Sequence, residues 1–115
     1  MKEIKAFVRP ESIDSIVHAL EDAGLLALTV IPVQAIGELV DPSRSRFSPS
    51  FFERYSNVFK LELVCRETDV EQALDLIVRL GRTGQPGDGI VYVSPVSEVI
   101  RIRTGERGGE VLDGV

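Results

Sequence analysis

Tryptophan is missing from this 115-residue sequence, and cysteine, methionine and histidine occur once each. A single cysteine cannot close an intrachain disulfide, so a stapled mini-scaffold is excluded and Cys65, in an alternating apolar stretch, reads as a core residue. His18 has no Cys, Asp or Glu cluster at ligand spacing, so it reads as a solvated side chain and no metal is expected. No apolar run reaches the ~18 residues needed to cross a bilayer, and no charged-then-apolar leader follows Met1. The expectation is a cytoplasmic protein with no direct membrane insertion. Basic charge is also short, with 13 Lys and Arg against 18 Asp and Glu and a net charge of −5. Binding to a nucleic-acid backbone needs the opposite balance, so no nucleic-acid partner is expected.

What remains is an ordinary foldable composition, 43% hydrophobic and 27% charged, of a length that suits one domain over residues 1–115. Lys2 to Arg9 alternates at the period of a strand, with Ile4, Ala6 and Val8 on one face and Lys5 and Phe7 on the other. Ile13, Ile16, Val17 and Leu20 repeat at helical spacing, and Gly24 supplies a left-handed terminator. Leu25 to Ile36 reads as a second strand that Pro32 bends or confines to an edge, and Val58 to Cys65 as a third. Thr68 with Glu71 suggests a capping box opening a second amphipathic helix that Gly81 closes. A strand over Ile90 to Ser94 and a short return run over Val99 to Arg103 follow.

The order strand, helix, strand, strand, helix, strand is that of an α+β ferredoxin-like sandwich, with both helices on one face of an antiparallel sheet. The other face, carrying Phe7, Ile31 or Val33, and Val64, then forms an apolar patch that predicts oligomerisation.

Three segments carry the functional signal. Residues 37–57 form a connection longer than compact domains usually tolerate, without hydrophobic period. Its Phe47, Phe51, Phe52 and Tyr55 among Arg44, Arg46 and Arg54 suit a partner-binding surface. The glycine-rich stretch 82–89 lets backbone amides close on an anion, although such turns are commoner as plain turns, and Asp88 within it suits turn shaping. In the C-terminal segment 101–115, Arg101 and Arg103 alternate with isoleucines, so both would leave one side of a strand and grip one polyphosphate.

Arg82-Thr83-Gly84 with Gly87-Asp88-Gly89, and the run Val99 to Gly108, resemble the two signatures of the PII signal-transduction family, the nitrogen regulatory proteins P-II. The likeness extends over nearly the whole chain, including Met1 to Ala6, Pro10, both helices and the position and length of the loop, and marks a divergent PII-like member. The resemblance implies a homotrimer with adenine nucleotides in clefts between subunits. Phe7 and Val64 would then contact the adenine, Thr29 and Glu62 its polar edge, and Gly37 and Glu38 would form the loop base beside the phosphates. Gly87, Asp88 and Gly89 would give amides, and Arg101 and Arg103 charge.

The departures from the family pattern redirect the expected function. Leu39 and Val58 stand where the family's glutamine and lysine serve magnesium and 2-oxoglutarate, so the usual 2-oxoglutarate response is not expected. Ile90 and Gln85 replace lysines beside the phosphates, and Glu38 adds negative charge, so ADP or AMP is favoured, with ATP less strongly held. Phe51 and Pro49 occupy the positions modified in other members, so neither switch operates at its usual residue. The implied role is control of a membrane transporter or metabolic enzyme rather than catalysis. An alternative ties the protein to inorganic carbon, with bicarbonate as a ligand, or to metal transport. A small phosphatase on the same fold is a third reading, but no residue offers an obvious base or nucleophile.

Overall fold

The computed structural model describes residues 1–50 and 52–113. Its elements are β1 (Lys2–Val8), α1 (Ile13–Asp22), β2 (Leu28–Ile36), β3 (Arg46–Ser48), β4 (Glu53–Cys65), α2 (Val70–Gly81) and β5 (Val91–Pro95). The strands run antiparallel in the order β2-β4-β1-β5, with β3 added to β4. This is the expected α+β ferredoxin-like arrangement.

Alternation in the strands and the 3.6-residue period of the helices meet in one core. Ile4, Ala6 and Val8 of β1 and Leu61, Leu63 and Cys65 of β4 pack against Ile13, Ile16 and Leu20 of α1 and Ala73 and Ile77 of α2. Each fully buried aliphatic side chain here is worth about 1.5–3 kcal/mol relative to exposure. Burial also pushes the Cys65 thiol up from its ordinary pKa, consistent with a packing role. Gly24, at φ +82°, ends α1 as expected: its amide bonds to the Glu21 carbonyl and that of Leu25 to the Leu20 carbonyl. Pro32 lies on β2, the edge strand, where a missing N–H can be turned to solvent.

Four expectations need correction. The third long strand begins at Glu53 rather than Val58, because the second half of the long connection folds back as a short hairpin, β3 against β4. Tyr55 therefore pairs with Ile36 on one side and Arg46 on the other. The capping box does not form: Thr68 sits inside a 3-10 turn, Glu67–Asp69, and Asp69 is the N-cap of α2. Val99 to Arg103 is not a strand, because the chain bends back on itself, with Ile100 bridging to Arg107 and the Gly105 amide bonding to the Arg101 carbonyl. Finally, the open face of the sheet is not a continuous apolar patch. Register puts Glu3, Lys5, Lys60 and Glu62 among Phe7, Ile31 and Val64, and Lys5–Glu3 and Lys60–Glu62 ion pairs form at 3.4 and 3.0 Å.

Candidate functional site

The glycine turn is held from within by Asp88. Its Oδ2 accepts from the amides of Thr83 (2.9 Å) and Gly84 (2.8 Å), and its Oδ1 from the Thr83 hydroxyl (2.7 Å) and the Arg9 Nε (2.9 Å). Burial alone would raise its pKa, but these donors outweigh it and hold the carboxyl well below the usual carboxylate range. Asp88 therefore shapes the turn, and its oxygens are already engaged. Two of its glycines are required by contact: a β-carbon on Gly89 would stand 1.7 Å from the Phe7 carbonyl oxygen, and one on Gly87 2.7 Å from the Asp41 Cα. The Phe7 amide bonds to the Ile90 carbonyl, which fixes the turn to the end of β1.

Arg9 and Asp41, not singled out in the sequence, join the candidate site by contact with the glycine turn. Arg9 is only 7% exposed, and its guanidinium joins Asp88, Asp41 and the carbonyls of Pro86 (2.9 Å) and Gln85 (3.4 Å). Asp41 in turn accepts from the Ser43 hydroxyl and amide at 2.7 and 3.0 Å, and its own amide donates to the buried Ser56 hydroxyl. Ser43 first, helped by Arg9 and against burial, holds the Asp41 carboxyl below its ordinary pKa. An arginine before Pro10 at a strand end was the only sequence signal, and it names no partner.

On the sheet, Phe7 is paired with Lys60 and lies 6.4 Å, centroid to centroid, from Tyr92. Thr29 pairs with Glu62, and Val64 with Glu3. Val64 is four residues along β4 from the partner of Phe7, about 13 Å at ordinary strand rise. One chain therefore brings Thr29 and Glu62 together but leaves Phe7 and Val64 apart.

Arg101 and Arg103 are more distant still from the glycine turn. The turn adjoins the Phe7 end of the sheet, whereas the C-terminal segment joins the other end, through Val96 to Met1 and through Arg66 to the Gly109 carbonyl (3.0 Å) and Asp113 (2.8 Å). Arg101 is partly buried against Glu106 (3.3 Å) and the Val111 carbonyl (3.1 Å), while Arg103 is exposed on the bend beside the 99% exposed Ile102. The two guanidiniums do not share a strand face.

The long connection starts at Gly37, with φ +69°, and Glu38 is exposed in the 3-10 turn Gly37–Leu39. Arg44 pairs with Glu11 at 2.7 Å, and Arg54 bonds to the hydroxyl and carbonyl of Ser45. Arg46 is exposed on β3, and Tyr55 is half-buried on β4. Phe47 and Phe52 project from the hairpin at 54% and 80% exposure. Phe51 lies outside the described residues.

The family model described as nitrogen regulatory protein P-II matches residues 1–106. The chain belongs to the P-II family. Nitrogen regulatory protein P-II of Nostoc punctiforme is 34% identical to it over 112 residues, covering 97% of this chain and all of that protein. Those of Microchaete diplosiphon and Azospirillum brasilense are each 33% identical with the same coverage.

A P-II chain is a regulatory signalling protein rather than an enzyme. Within this P-II chain, Leu39 sits in the first turn of the connection and Val58 is 6% exposed on β4. Neither side chain carries an oxygen donor, so these positions do not suit magnesium. Among the described residues no helix is long and apolar enough to cross a membrane.

Proposed function

We propose that this P-II chain assembles as a homotrimer, binds an adenine nucleotide between neighbouring subunits, and uses residues 37–57 to control a membrane transporter or metabolic enzyme. The observation that carries the reading is a separation. A glycine turn packed against Phe7 lies at one end of the sheet, and Arg101 and Arg103 at the other. A single chain cannot close both on one ligand, whereas a neighbouring subunit can supply the missing half.

Charge favours the shorter nucleotides. Ile90 brings no cation to the turn, and exposed Glu38 at the loop base repels added phosphate. ADP or AMP then binds at least as well as ATP, without magnesium and without a 2-oxoglutarate response.

Sedimentation and calorimetry test this together, with AMP, ADP and ATP titrated with and without magnesium, and bicarbonate and 2-oxoglutarate as further ligands. A trimer that binds ADP or AMP, weakened about tenfold or more in Arg103→Ala, is the expected result. A monomer with no nucleotide affinity overturns the proposal, and tight magnesium-dependent ATP binding overturns the stated preference.

A further inference from the structure

The base of the long connection and the glycine turn, 32 and 79 residues from Arg9, meet on that one side chain. Its Nη1 is bonded to Asp41 of the connection and its Nε to Asp88 of the turn, while Nη2 reaches the turn carbonyls. The Arg9 and Asp41 side chains are each only 8% exposed. A second contact is independent of charge: the Gly87 backbone lies so close to the Asp41 backbone that no side chain fits between them.

A buried guanidinium tolerates loss of a partner poorly, because the remaining charge stays uncompensated in a poorly solvated place. The two segments are thus not independent. If the turn draws Arg9 away, Asp41 loses its anchor; if Asp41 leaves, Arg9 is left to the turn alone. Of the two segments the turn is the better fixed, since Gly89 packs on the Phe7 carbonyl and Ile90 bonds to the Phe7 amide. The turn is therefore the fixed end of the pair.

We propose that Arg9 is a positioning residue through which residues 37–57 sense the glycine turn: an anion bound at the turn competes with Asp41 for Arg9 and releases the base of the connection. This rests on the nucleotide reading above for the identity of the anion, but the coupling between the two segments does not. By linkage, whatever favours release of Asp41 must also favour the anion, to the same factor.

The test is amide hydrogen exchange over residues 40–56 and 82–89, with calorimetry, on the full chain and on Asp41→Asn and Asp88→Asn. Without ligand, Asp88→Asn should change exchange at 40–56, and Asp41→Asn should change it at 82–89, each about fivefold or more. With ADP as the probe, exchange at 40–56 in the native chain should speed about fivefold or more. Asp41→Asn should already be fast there, should respond less than twofold, and should bind ADP more tightly by the factor lost. Effects confined to the mutated segment overturn the coupling, as does an Asp41→Asn chain whose connection still responds fully to ADP. Failure of the native chain to bind ADP counts against the nucleotide reading, and the ligand-free cross-response then decides the coupling by itself.

Discussion

Gly89 lies so close to Phe7 that a β-carbon at position 89 would overlap the Phe7 carbonyl oxygen at 1.7 Å. That atom is backbone in a central strand, so it cannot swing away as a side-chain end would. Gly89→Ala should therefore cost about 2–3 kcal/mol, read as a lower urea midpoint with unchanged slope. Gly84→Ala is the control: its β-carbon meets nothing within 4 Å, but its φ of +83° costs an alanine about 1–2 kcal/mol.

Acid should weaken the folded state through the Arg9 cluster. Asp41 and Asp88 titrate lower in the folded chain than their ordinary value near 4. The folded state binds fewer protons there, so their contribution is full above about pH 4 and is lost as pH falls below it. Urea midpoints from pH 7 down to pH 3 should fall in the native chain. The fall should be shallower in Asp88→Asn, which is weaker already at pH 7; parallel curves would contradict the assignment.

The core and the C-terminal bend should differ sharply in their response to truncation to alanine. Leu61 is fully buried between β1 and the helices, so Leu61→Ala should cost about 2–5 kcal/mol. Ile102 is 99% exposed, and Ile102→Ala should change chain stability by less than about 0.5 kcal/mol. Equilibrium unfolding of both variants checks the contrast.

Phe52 adopts φ +51°, a left-handed conformation unusual for a residue with a side chain. Phe52→Gly should relieve that cost and leave stability unchanged or slightly raised, whereas β-branched Phe52→Val should lower it by about 1 kcal/mol. The urea midpoints of the two variants should rank in that order.

The parts of the fold that were legible are those in which one periodicity decides the outcome. β1, both helices and the inner half of β4 each bury an apolar stripe, and the stripe is written locally. Residues 53–57 were hidden because Glu53, Arg54, Ser56 and Asn57 are polar, and Ser56 is buried by its bond to the Asp41 amide rather than by being oily. Thr68 and Glu71 have the composition of a capping box, but the chain enters α2 through a 3-10 turn that advances the cap to Asp69. Alternation at Ile100 and Ile102 looked like a strand, yet Gly105, with φ +76°, lets the chain turn back first. The glycine turn and the turn-shaping role of Asp88 were readable. Its ion pair with Arg9 was not, because a pairing across 79 residues exists only once the sheet has formed.

β4 runs unbroken for 13 residues, and only its inner portion is flanked by both β1 and β2. Mechanically it is a beam built in at one end and cantilevered at the other, along a molecule 46 Å in its longest dimension. The hairpin side chains Phe47 and Phe52 are thereby carried past the stretch that β1 borders and stand clear in solvent.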